Sequence, residues 1–156
     1  MSLGEKMNTN DLVIFTDLHS RNKSPYKESK EDFISWLVDD PKLNNESNVL
    51  LILGDLGDLP KLPGNINNWI LDMMHNRFKF KQIIILTGNH DSRRKEGNYL
   101  DMLRHIPKVK IVDRMEELDI GEISTLLLPH YIVQRDGDVP MKKYYESLQD
   151  DPELLK

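Results

Sequence analysis

Three short apolar runs, Leu12 to Phe15, Val49 to Leu53 and Ile83 to Leu86, constrain the fold more than any other feature of the chain. Each is nearly continuous rather than alternating, which is how a strand buried on both faces reads. Between them lie segments with helical spacing. Phe33, Trp36 and Leu37 share one face in the first, and Trp69, Ile70, Met73 and Met74 share one face in the second. The order β-α-β-α-β implies an α/β class, with a mainly parallel sheet covered by helices and right-handed crossovers. After the third run the pattern predicts a helix around Tyr99 to His105, a short strand around Lys110 to Val112 and another strand at Thr125 to Leu128. Gly121 and Pro129 punctuate this stretch, and Met141 to Lys156 reads as a helix broken or restarted at Pro152.

A chain of 156 residues is long enough for one substantial core and too short for two ordinary domains. Residues 1–10 form a polar N-terminal tail, and residues 11–156 are expected to be one domain; the position of Met7 suggests that the first few residues are an added leader. No Gly/Ser-rich or Pro-rich linker and no internal repeat divides the sequence. The apolar runs fall far below the ~20 residues needed to cross a bilayer, and the N-terminus lacks the apolar stretch of a secretory signal. A cytoplasmic protein without a membrane partner is therefore the expectation.

In an open parallel sheet, ligands bind beyond the carboxyl ends of the strands, so the residues after each run are the informative ones. The first run leads into Thr16-Asp17-Leu18-His19, the second into Gly54-Asp55-Leu56-Gly57-Asp58 and the third into Gly88-Asn89-His90-Asp91. Carboxylate, amide oxygen and imidazole together suit divalent ions such as Mn²⁺, Fe²⁺ or Zn²⁺. With no cysteine in the chain, any metal must rest on oxygen and nitrogen donors. In an extended segment Asp17 and His19 would point to one side while Leu18 faced the core. Gly54 and Gly88 would permit tight turns and close backbone approach. Singly, each piece has an ordinary explanation as a turn former or cap. Three in register at one sheet edge do not.

These blocks, Asp17/His19, Gly54/Asp55/Asp58 and Gly88/Asn89/His90/Asp91, resemble the calcineurin-like metallophosphoesterases, whose pattern runs D-x-H, G-D-x-x-D, G-N-H-[DE], a lone His and G-H-x-H. The resemblance spans roughly Asp11 to His130. It implies a layered sheet with flanking helices and a centre of two divalent ions, Mn²⁺ foremost. Asp17 and His19 would bind the first ion, Asp55 would bridge both and Asn89 would bind the second. Two cations a few ångströms apart need an anionic bridge, which fits Asp55. His90 would face the scissile phosphate, with Asp58 holding its ring. The implied reaction is in-line attack on phosphorus by a metal-bridging hydroxide.

The chain departs from that pattern toward its C-terminus, where no G-H-x-H occurs. The missing block removes two expected ligands, so the natural polypeptide is expected to continue beyond Lys156, or else to hold metal loosely or not at all. His75 and His105 read as ordinary helix-surface residues. His130 follows the apolar run ending at Leu128 and reads either as the family's lone His, a ligand of the second ion, or as a pocket-wall residue beside Pro129 and Tyr131.

The family acts on many phosphoesters, so the substrate must be read locally. Protein phosphatases place an Arg after the second Asp of G-D-x-x-D; here the residue is Leu59. The loop Asp91-Ser92-Arg93-Arg94-Lys95 sets three cations beside the site, with Arg93 and Arg94 as substrate-binding candidates for a polyanionic backbone such as DNA, or as a solvated loop. The formal charge of −5 excludes a uniformly basic surface but not such a patch. Leu126-Leu127-Leu128-Pro129 with the Tyr-rich segment after it looks similar to nuclease subunits of phage and bacterial DNA-repair complexes, which would add a protein partner. A phosphodiesterase or nuclease is the leading expectation. A small-molecule phosphoesterase and a non-catalytic metal-binding or assembly domain are the alternatives.

Overall fold

The strands of the larger sheet owe their apolar character to two cores rather than one. The computed structural model describes residues 6–7, 11–20, 27–58, 62–91 and 99–129. In chain order these give β1 (Lys6–Met7), β2 (Leu12–Phe15), α1 (Lys27–Asp39), β3 (Val49–Ile52), α2 (Gly64–Asp72), β4 (Gln82–Leu86), α3 (Tyr99–Leu103), β5 (Val109–Val112), β6 (Glu116–Ile120) and β7 (Ile123–Leu127). Strands β2-β3-β4-β5 form a four-stranded sheet in that order, all parallel, with helices in the crossovers. Strands β1-β6-β7 form a second, three-stranded sheet.

Side chains alternate across each parallel strand, and the alternation sorts them between the two cores. Leu50, Ile52, Ile83, Ile85, Val109 and Ile111 pack with Ile34, Leu37, Ile70 and Met73 of the helical layer. Val49, Leu51, Ile84 and Val112 pack instead with Leu118, Ile120 and Leu127 of the second sheet. A strand filling both cores has no polar face, which is why these runs read as continuous.

The α/β class and the β-α-β-α-β order expected from the sequence are present, and the corrections are local. In α1 the buried stripe is Ile34 and Leu37, while Trp36 is 56% exposed. Phe33 packs edge-on against Phe15 at 5.6 Å between ring centroids, and Trp36 lies outside it at 6.0 Å. The helix covers β2, the edge strand of its sheet, so among the described residues the outer aromatic has no further strand beyond it to pack on. Helix α2 continues into a π-helical turn, Met73–Arg77, closed by the Phe78 N–H donating to the Met73 carbonyl at 2.9 Å. That turn delivers Phe78 and Phe80 into the core. Helix α3 ends at Leu103, leaving His105 exposed in the following turn.

Strand β6 was not anticipated, because Glu116-Glu117-Leu118-Asp119-Ile120 shows only two apolar residues; both are buried on one face. It pairs with β7 through a hairpin joining Ile120 to Ile123, in which Gly121 takes φ 65°, a left-handed conformation that suits glycine. Lys6–Met7, within the stretch read from the sequence as a polar tail, pair with Asp119 and Ile120 of β6. The segment Met141 to Lys156 lies outside the described residues. Among the described residues no helix is long and apolar enough to cross a membrane.

Candidate metal centre

Parallel register brings three loops to one edge of the sheet. Phe15 pairs with Ile52 and Ile52 with Ile85, so the segments after β2, β3 and β4 leave the sheet at the same level. The backbone ladder runs on past the first two strands. The Leu53 N–H donates to the Phe15 carbonyl at 2.9 Å, the His19 N–H to Asp55 at 2.8 Å and the Ser20 N–H to Leu56 at 3.0 Å.

Here the chain departs from the extended conformation expected of it. Asp17, His19 and Asp55 have φ of 57°, 44° and 51°, the left-handed region, and they are the described non-glycine residues found there. Such conformations cost on the order of 1–3 kcal/mol each and persist only where the surroundings over-determine them. Their coincidence on three candidate ligands marks the loops as shaped for a task. Leu18 is buried as expected, but Asp17 and His19 meet through this backbone winding rather than through strand alternation.

The glycines are dictated by close approach. A Cβ on Gly88 would lie 2.1 Å from Asp55 Oδ1, and one on Gly54, itself at φ 94°, would lie 2.8 Å from the Gly88 Cα. Only bare backbone lets the two loops interlock. The Asp55 carboxylate then receives the His90 backbone N–H at 3.0 Å. In return Asp91 Oδ2 receives the backbone N–H groups of Asp55 and Gly88, each at 2.9 Å.

Asp91 is fully buried, and its other oxygen accepts a 2.5 Å hydrogen bond from the Tyr99 hydroxyl. That hydroxyl in turn accepts the Gly57 N–H at 2.8 Å. One carboxylate and one phenol thus tie together the loops after β3 and β4 and the first residue of α3. Burial pushes the Asp91 carboxyl above its ordinary range, against the opposing pull of its donors Tyr99, Gly88 and Asp55. Burial, followed by the charge of Asp91, pushes the Tyr99 phenol up. The sequence reading assigned neither residue a role. Asp91 was visible only as part of the third block, and a tyrosine opening a short helix carries no signal of its destination.

Around Asp55 the other candidates gather. The Asn89 carboxamide lies beside it: turned so that its NH₂ faces inward, it donates to Asp55 Oδ2 at 2.7 Å and Oδ1 at 3.2 Å. Turned the other way it presents its oxygen to two carboxylate oxygens, an arrangement that a cation makes favourable. His19 Nε2 lies 3.3 Å from Asp17 Oδ1, and its Nδ1, buried and without a hydrogen-bond partner, lies 3.5 Å from Asp58 Oδ1. The Thr16 hydroxyl donates to Asp17 Oδ2 at 2.6 Å and, with His19, holds that carboxyl below its usual range against slight desolvation.

The rings of His19 and His90 meet edge to face at 4.8 Å. His90 Nδ1 lies 2.8 Å from the backbone carbonyl of Asp58. A carbonyl only accepts, so Nδ1 carries the proton and Nε2 is left for other partners. Asp58 thus holds the His90 ring through its main chain, whereas its carboxylate approaches His19.

Among the described residues, two groups of side chains have ligand atoms within 4.8 Å of one another: Asp17, His19 and Asp55, and His19, Asp58 and His90. Carboxylate, imidazole and carboxamide converge from three loops, a donor set that fits a divalent cation of the Mn²⁺, Fe²⁺ or Zn²⁺ kind. Asp17, His19, Asp55, Asp58, Asn89 and His90 are therefore brought together. His130, Arg93 and Arg94 lie outside the described residues. His75 is exposed on the π-helical turn, its Nδ1 3.0 Å from Asn76 Oδ1.

Comparison with curated proteins returns no match. The family model of the calcineurin-like phosphoesterases, enzymes of metal-dependent phosphoester hydrolysis, matches residues 11–154, from before β2 to near the end of the sequence. With the match covering most of its length, the chain belongs to the calcineurin-like phosphoesterase family.

Proposed function

We propose that this chain is a two-metal phosphodiesterase acting on nucleic acid. The observation that carries the reading is the convergence of Asp17, His19 and Asp55 ligand atoms within 4.8 Å, with the Asn89 carboxamide against Asp55. Asp17 and His19 would hold one ion, Asp55 would bridge to a second and Asn89 would complete it, with His130 a further ligand. Bound there, divalent ions lower the pKa of water, neutralise phosphate charge and orient the ester.

The remaining chemistry falls to the protein. Asp55 is clasped by the His90 N–H and, through its own N–H, by Asp91, so a bridging carboxylate would be held without rearrangement. His90 keeps its Nδ1 proton on the Asp58 carbonyl, so the imidazolium form would present a second proton at Nε2 to a phosphoryl oxygen or to the departing alkoxide. The Arg93-Arg94-Lys95 run supports a polyanionic substrate by charge.

Hydrolysis of bis(p-nitrophenyl) phosphate by metal-stripped protein, followed as Mn²⁺ is restored, tests the assignment. Turnover should require Mn²⁺ and fall below detection in Asp55→Asn. In His90→Asn, kcat should drop at least ~10²-fold with Mn²⁺ binding retained. Turnover that is indifferent to Asp55→Asn would overturn the reading.

A further inference from the structure

A groove of about 170 Å³ opens beside the metal centre, lined by Ser20, Lys27, Lys30, Glu31, Ile66 and Trp69 together with Asn65. It lies between the first turns of α1 and α2, and Ser20 directly follows His19. Lys30 joins the two sites, since its Nζ donates to the His19 carbonyl at 2.9 Å. The groove and the centre thus share the chain segment His19–Ser20.

The lining sorts by chemistry. Ile66 and the half-buried Trp69 offer an apolar wall with an aromatic face. Lys27 and Lys30 supply positive charge, and the amino ends of two helices add to it. Glu31 is the one acidic side chain of the described lining, and it is paired with Lys27 at 3.5 Å. The Ser20 hydroxyl, buried in the wall, lacks a hydrogen-bond partner. The volume is below the roughly 300–1,000 Å³ of pockets for drug-sized ligands, enough for one ring system and not for an oligomer.

Resting on the phosphodiesterase reading above, we infer that this groove receives one nucleoside arm of the substrate. Its base lies against Trp69 and Ile66, and its phosphate side turns toward Lys27 and the metal centre. Stacking on an aromatic side chain tolerates every base, which suits a site that takes nucleotides without reading sequence. A ring nitrogen or exocyclic oxygen beside Ser20 supplies the bond its hydroxyl lacks.

The chain has two tryptophans, so in a Trp36→Phe background the intrinsic fluorescence reports Trp69 alone. Metal-stripped protein of that background is titrated with adenosine 5′-monophosphate and, separately, with ribose 5-phosphate. The nucleotide should quench the signal saturably and bind at least ~10-fold more tightly than the sugar phosphate, as loss of a stacked base implies. Calorimetry should show Trp69→Leu weakening nucleotide binding by a similar factor, and Lys27→Met, at an exposed position, weakening it about threefold. Equal affinity for the two ligands, or nucleotide binding unmoved by Trp69→Leu and Lys27→Met, would overturn the inference. Because binding is read without metal, its failure is distinct from failure of the phosphoesterase reading, which Mn²⁺-dependent hydrolysis of bis(p-nitrophenyl) phosphate reports independently.

Discussion

Asp91 carries more of the local architecture than any candidate metal ligand does, and it does so from within the core. Its two oxygens accept the N–H groups of Asp55 and Gly88 and the hydroxyl of Tyr99. Asp91→Asn turns an amide NH₂ toward at least one of those donors, leaving buried groups unsatisfied, and should cost on the order of 3 kcal/mol in urea denaturation of the metal-free protein. The pH dependence has a definite sign. Burial raises the folded-state pKa of Asp91 above its unfolded value of about 3.9, so the linked stability is fully present below that value and is lost as pH rises through the folded pKa. The stability gap between wild type and Asp91→Asn should therefore be wider near pH 3 than at pH 7. A gap that widens toward neutral pH would mean that the three donors outweigh burial. At this scale the sequence was legible for the groups that repeat a motif, Asp17, His19, Asp55, Asn89 and His90. It was silent on Tyr99 and on the left-handed turns, because both depend on contacts between loops some thirty or more residues apart.

Among the elements, the joints between helices and strands are fixed by buried amides as much as by apolar packing. Asn44 is 3% exposed and spans three segments: its Nδ2 donates to the carbonyls of Val38 at 2.9 Å and Arg77 at 3.0 Å, while its Oδ1 accepts the Lys79 N–H at 2.6 Å. It thereby locks the end of α1 to the exit of the π-helical turn. Asn44→Ala should destabilise by roughly 2–4 kcal/mol, since two carbonyls and one N–H lose their partner, and a shift of the urea midpoint at constant slope would register it. The parallel strands were legible because they fill two cores and so contain no polar position. Strand β6 was not, since its two buried residues, Leu118 and Ile120, are too few to make a period visible among three acidic neighbours. Trp36 misled for the opposite reason. Helical spacing identifies a face, but only the edge position of β2 decides how wide that face needs to be.

For the whole molecule, three layers place one sheet edge where the loops after β2, β3 and β4 converge, and the strain held in those loops is what the rest of the fold must offset. Cations that join Asp17, His19 and Asp55 relieve the mutual repulsion of carboxylates and should stabilise the folded state alone. At a free concentration 100 times the dissociation constant, that linkage is worth about 2.7 kcal/mol per site, or a rise in Tm of roughly 5–10 °C for a chain of this size. The rise should vanish in Asp55→Asn. The most direct test is calorimetric titration of the metal-stripped protein with Mn²⁺. Two ions bound per chain, with binding abolished or reduced to a single weak site in Asp55→Asn, is the predicted result. No binding, or binding unchanged by Asp55→Asn, would contradict the assignment of these residues to a metal centre.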